Sequence, residues 1–137
     1  MKKILMLVIA MATVLAMITG CKGKPLPEGM DEDALFVAGK DVVLLLVGSE
    51  FETVHEMLRE DVRGNISVDE IRATVSSQLD GAGVYKQIED HMATGQVIDG
   101  VRYGVSVLYC EFSEEDVLVR VSFDQDWNLV GFALDQR

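Results

Sequence analysis

Apolar and polar residues change their spacing three times along this chain, and each change predicts a different kind of element. Residues 4–20 hold only Ile, Leu, Met, Val, Ala, Thr and Gly, with no charge and no proline. Residues 22–29, KGKPLPEG, then collect both prolines with two glycines, a composition that continues no helix and buries little. Next, Asp31, Glu32 and Asp33 place negative charge where a first helical turn favours it. Leu35, Val42 and Leu46, with Phe36, Val43 and Val47 beside them, recur at helical intervals. The run VVLLLV at 42–47 also fits a buried strand. Helix is preferred, because the residues that follow call for a compact helical hairpin.

Ser49 with Glu52 and Ser67 with Glu70 each spell a capping box, so two further helices are expected to start there. The first carries Phe51, Val54 and Leu58 on one face and ends at Gly64 and Asn65; the second carries Ile71, Val75 and Leu79 and stops at Asp80 and Gly81. Beyond Gly83 the period falls to two. Four strands are expected, separated by turns at Asp99 and Gly100, at residues 113–116 and at residues 124–127. If Phe112 pairs with Val117, Cys110 meets Val119 and Leu108 meets Val121. Val119 then meets Phe132, and Val117 meets Leu134. One face is continuously apolar, and the other carries Tyr109 opposite Arg120. Three helices followed by such a sheet make an α+β design, the helices packed on one side of a curved four-stranded antiparallel meander.

Lys2 and Lys3 ahead of the apolar run form the positive end of an export signal. Its close, Ile18, Thr19, Gly20 and Cys21, resembles the lipobox of bacterial lipoproteins. That resemblance implies cleavage before Cys21 and diacylation of that residue with chains such as palmitate. Two chains hold a protein stably at a bilayer where one holds it marginally. The chain then divides into a signal peptide (1–20), a flexible tether (21–30) and one domain (31–137), anchored at the outer face of the bacterial cell membrane. The rival readings are a retained membrane helix, for which the run falls slightly short of the roughly 20 apolar residues required, and a cleaved secreted form.

Cleavage removes two positive charges from the formal −11, leaving −13 on the mature part. A field of that sign repels nucleic acid, and the scattered Lys and Arg form no stripe that would hold a phosphate backbone. Acylation consumes Cys21 and leaves Cys110 alone, so no disulfide is expected. His55, His91 and Cys110 have no metal-ligand spacing, and no cofactor is expected. Asp124, Asp126 and Asn128 match the opening of a calcium loop, with Asp135 at its twelfth position. Leu129 stands where that loop needs glycine, so a tight Asp-rich turn is the preferred reading. The sequon Asn65, Ile66, Ser67 carries no argument in a bacterial protein.

The helix starts FETVHEML and SVDEIRATV, with the strands VSVLYCEF and VLVRVSFDQDWNLVGF, resemble an NTF2-like domain of unknown function of the DUF3887 type, over residues 33–134. The most specific piece is the hairpin from Phe123 to Phe132. Trp127 stands there where a turn glycine is common. The resemblance implies a cystatin-like cone, a curved sheet wrapped round helices, and brings no catalytic residues.

Such cones hold ligands between sheet and helices. A two-residue turn at Asp99 and Gly100 would direct Gln87, Glu89 and His91 inward with Ser106 and Cys110, lining a polar pocket. An odd loop or a bulge would turn Ile88 and Met92 inward and fill the cone. The filled cone is preferred, since three unpartnered polar side chains are costly in a small core. No nucleophile elbow is present, and His55 reads as a surface residue. The expected function is therefore non-catalytic binding, of a small ligand in the cone or of a second copy or envelope protein across the sheet. Tyr103, Tyr109, Leu118 and Arg120 would form that interface. The alternative is a small enzyme of the ketosteroid-isomerase or dehydratase kind, using Glu89, Asp90 or His91 as acid or base.

Overall fold

The computed structural model describes residues 25–136, so the 1–20 signal, Cys21 and the first part of the tether lie outside the described residues. The first helix, α1 (Glu32–Val47), starts where Asp31 accepts a hydrogen bond from the Ala34 amide at 2.7 Å. Leu35, Gly39, Val42, Val43 and Leu46 form its buried face, so the 42–47 run is helical. At its end the Gly48 and Glu50 amides donate back to Leu44 and Leu45, which forces Ser49 to φ 60°. Ser49 therefore closes α1, and the capping box expected there does not form. The next helix, α2 (Phe51–Met57), begins at Glu50 with no side-chain cap.

The expected continuous second helix breaks at Leu58, which turns extended and bridges Leu129 in parallel, while the Arg59 amide donates to Leu129 at 2.8 Å. A single turn, α3 (Glu60–Arg63), follows. The capping box at Ser67 and Glu70 is present and opens α4 (Val68–Gln78), which buries Ile71 and Val75. No described helix is long and apolar enough to cross a membrane.

Four strands, β1 (Tyr85–Ile98), β2 (Val101–Phe112), β3 (Asp116–Phe123) and β4 (Leu129–Gln136), form an antiparallel sheet in chain order. The fold is α+β, with the helices against one face, as expected. The pairing differs from the expected one by two residues: Cys110 meets Val117, Leu108 meets Val119 and Val119 meets Leu134, while Tyr109 faces Leu118 and Arg120 faces Val107. A shift of two leaves every side chain on its expected face.

Asp99 and Gly100, at φ 50° and 77°, make the two-residue turn, and Ile98 pairs with Val101. His91 accordingly opposes Leu108 on the inner, helix-facing side, and Met92 lies on the outer side, contrary to the filled-cone expectation. Register shifts then leave Glu89 and Lys86 each as the extra residue of a bulge. Ile88 is turned inward opposite Cys110, and Gln87 outward opposite Glu111. Inward positions thus fall at every third residue, Tyr85, Ile88 and His91.

The inner face and the helices share one core that includes Leu35, Val42, Ile71, Leu108, Val117 and Val121. α1 sits close to β2 because small residues meet there. A Cβ on Gly39 would lie 2.4 Å from Ser106 Oγ, and one on Gly104 would meet Met30 and Leu35. Met30 is buried and Leu26 packs on the core, so the described end of the expected tether lies against the domain.

Candidate functional site

The two bulges disperse the residues that would have lined a polar cone. Gln87 points outward and donates to Glu111 Oε1 at 3.0 Å. Glu89 is extruded and exposed, Asp90 lies outward opposite Tyr109, and only His91 turns in. The His91 ring stacks on Phe36 of α1 at 4.0 Å between centroids. Its Nδ1 lies 3.9 Å from Glu32 Oε1, beyond hydrogen-bond length, so the pair attracts only when the ring is protonated. Ser106 is fully buried under Gly39, its hydroxyl without a partner. Cys110 is buried too; burial pushes its thiol up to about 12, and Sγ donates weakly to the Leu108 carbonyl at 3.8 Å. Outside the sheet, His55 is tied to the Ile66 carbonyl at 2.7 Å and serves the fold.

The Asp-rich turn between β3 and β4 is held by Asp124. Its Oδ1 accepts from the amides of Asp126 and Asn128 at 3.0 and 2.9 Å, and Oδ2 accepts from the Asn128 side chain at 3.2 Å. Arg59 reaches the same carboxylate at 3.6 Å, chelates Asp61 at 2.7 Å and lies over the Tyr103 ring. The Asp61 carboxylate raises the guanidinium further above its usual range, and Arg59 in return lowers the Asp61 carboxyl. No sequence periodicity points to this cluster, because it joins a helix break to a distant turn.

On the outer face of the sheet, Val105 and Val107 form a second buried cluster with Tyr109 and Leu118 packed against it, to which no described helix contributes. Arg120 lies among them, opposite Val107 and Ala133, and pairs with Asp135 at 2.8 Å. Gln96 and Ser122, on the same face, hold buried side-chain atoms without hydrogen-bond partners. Beside this patch Glu89, Asp90, Tyr109 and Asp116 contribute to a crevice of about 260 Å³. Tyr109, Leu118 and Arg120 therefore share one face, with Tyr103 at its end beneath Arg59.

A larger depression, of about 520 Å³, opens where α1, α4 and the first residues of β1 meet, and Leu44, Phe51, Leu79, Val84, Tyr85 and Phe112 contribute to its wall. It is assembled from the ends of several segments, so helical or strand periodicity gives no sign of it. Tyr85 and Phe112 meet edge to face at 5.6 Å.

A family model described as "Protein of unknown function (DUF3887)" matches residues 40–132. No curated protein matches the chain. Among solved structures, an NMR structure of a protein from Ruminococcus gnavus ATCC 29149 is similar. Its TM-score is 0.70 at 22% identity, and the match covers 81% of this chain and 96% of that one. At that identity the likeness speaks for the fold alone.

Proposed function

The chain belongs to the DUF3887 family, and we propose that it is a non-catalytic interaction module held by acylated Cys21 at the outer face of the bacterial cell membrane, where it pairs with a second copy through the outer face of its sheet, which no described helix covers. The observation that carries this reading is the cluster of Val105, Val107, Tyr109 and Leu118 on a face that no described helix covers. Partly exposed apolar and aromatic side chains suit a protein contact, and Tyr109 and Leu118 are the half-buried members of the cluster. His91 turns to the inner side of β1 while Glu89 and Asp90 contribute to the crevice beside the outer patch, and this separation favours binding over acid–base chemistry, which needs its groups gathered around one substrate.

Sedimentation equilibrium of residues 25–137 tests the interface. A dimer is expected at high micromolar concentration, and Leu118→Arg should return it to monomer with the fold intact. A strict monomer, or a dimer indifferent to Leu118→Arg, overturns the contact; a stable complex with an envelope protein instead would replace the second copy as partner. The anchor is tested separately by intact mass of the native protein. A diacylated Cys21 at the N-terminus is expected, and any other first residue overturns it.

A further inference from the structure

Three exposed apolar side chains gather at one end of the sheet. Val97 is 51% exposed, Val101 45% and Trp127 37%. Pairing of β2 with β3 begins at Gly104 and Phe123, so the β1–β2 hairpin from Val97 to Arg102 projects past the end of β3, Val101 by about 10 Å. The turn that carries Trp127 follows Phe123 directly and lies at the same end. Single exposed valines call for no explanation. This group does, for two reasons. Val97 continues the inner row of the sheet and Val101 the outer row, so the hairpin tip is apolar on both sides, unlike a face shaped for one flat partner. Trp127 is held at φ 66°, its amide donating to the Asp124 carbonyl at 3.0 Å and its ring 5.8 Å from that of Phe123. A bulky side chain in the left-handed region costs stability, which packing against one ring does not repay.

The chain also enters the domain at this end. Met30 is buried against Gly104, its amide donates to the Pro27 carbonyl at 3.1 Å, and Leu26 packs on the core. From Cys21 to Leu26 the chain spans at most about 17 Å. A lipid on Cys21 therefore keeps the hairpin and the Trp127 turn within reach of the bilayer. Charges at this end are mixed in sign: Asp99 and Arg102 stand on the hairpin, Asp126 on the turn, and Arg59 pairs with Asp61 beside it. A protein this acidic gains nothing from anionic headgroups, so a contact here is apolar rather than electrostatic.

We propose that this end docks on the bilayer that holds Cys21, with Val97, Val101 and Trp127 entering the interfacial layer of the outer leaflet. This docking rests on the acylated anchor proposed above and adds an orientation to it. Tryptophan favours that layer, where its ring meets acyl chains and its N–H stays wet. The buried apolar area is small, and it suffices because the tether holds the tip at high effective concentration over the membrane. The sheet then stands on the bilayer with its outer face to the side, where two anchored copies can meet.

Residues 21–137 make the test protein, because the core runs only from Leu26 to Leu134 and the similar Ruminococcus gnavus chain, matched over 96% of its length, is structured without further domains. Coupling Cys21 to a maleimide lipid supplies the tether whether or not the cell acylates it, and the buried Cys110 is spared. Trp127 is the one tryptophan of the chain, so its fluorescence reports on the tip alone. In phosphatidylcholine vesicles with bromine on the acyl chains, its emission is expected to shift to the blue and to fall at least about twofold below that in unbrominated vesicles, with no recovery in 1 M salt. Val97→Glu with Val101→Glu, at exposed positions, should abolish the quenching at unchanged melting temperature. Val97→Thr with Val101→Thr, which keeps the β-branched shape, should reduce it. Unquenched emission overturns the docking and leaves the anchor to its own mass measurement. A blue shift without quenching overturns it as well, since protein rather than lipid then covers Trp127, and so does quenching that survives both pairs of substitutions.

Discussion

The two faces of the sheet carry apolar residues in the same alternation, yet they end in different states. Leu108, Val119 and Leu134 lie on the inner face and join the core with α1, α2 and α4. Val105 and Val107, one residue away along the same strand, form a small cluster of their own with Tyr109 and Leu118. Alternation therefore assigns residues to a face but does not say what covers it. Cover is decided by the helices, and α1 meets β2 closely where Gly39 and Gly104 make room.

The sharpest way to break this comparison is one substitution made on both faces. Leu108→Ala removes a fully buried side chain from the helix-covered side and should cost about 3 kcal/mol. Leu118→Ala, on the side that no described helix covers and half-buried, should cost less than about 1 kcal/mol in the monomer. Urea titrations with unchanged m-values would measure both. Equal losses would mean that the outer cluster is as much a core as the inner one.

A smaller effect tests how closely helix and sheet approach. An alanine at position 39 would place its Cβ 2.4 Å from Ser106 Oγ and 3.0 Å from Leu108 Cδ1, so Gly39→Ala should cost about 2 kcal/mol through forced separation of α1 from β2. Ser106→Gly in the same chain should recover much of that loss, an interaction energy that a double-mutant cycle reads directly. Gly64→Ala is the control, since the nearest atom to its added Cβ is the Glu60 carbonyl oxygen at 3.6 Å.

Particular residues show where the sequence was legible. Leu108, Cys110, Val117 and Val119 fell on their expected face because parity follows from hydrophobic alternation, whereas their pairing slipped by two because a period of two repeats itself. The Ser67 capping box formed and the Ser49 one did not, although both spell the same motif; at Ser49 the chain is still closing α1. His91 and Ile88 both turned inward, a combination that neither a plain two-residue turn nor a parity reversed along the whole strand predicts. The extra residue at Glu89 reverses the alternation in mid-strand, and nothing in its composition marks a bulge. The groove walled by Phe51, Tyr85 and Phe112 escaped for another reason, since its residues come together only in three dimensions.

The inner face also holds a titratable group. Its folded-state value, raised by burial to about 12 from 9.0, keeps the Cys110 thiol neutral where an unfolded thiol ionises. The folded form then binds the proton more tightly, so the stability contribution is whole below about pH 9 and is lost as pH rises towards 12. About 1 kcal/mol should be gone by pH 10. Melting temperature against pH, compared with Cys110→Ala, checks the sign: the variant should lose this part of the alkaline slope, and an unchanged slope would place the thiol in water.

The smallest effect concerns the ion pair of the sheet's outer face. Arg120 is 13% exposed at its side chain and Asp135 52%, so the pair is half screened by solvent and Asp135→Asn should cost only about 0.5 kcal/mol in the monomer, less in 1 M salt. Repeating the measurement at concentrations where copies pair makes it more informative. If a second copy covers the face, the Arg120 guanidinium loses its remaining water as well as its partner, and an uncompensated cation in an apolar contact is far more costly than the same cation at a surface. Asp135→Asn should then weaken association more than it weakens the fold. An equal effect at both concentrations would place the contact elsewhere.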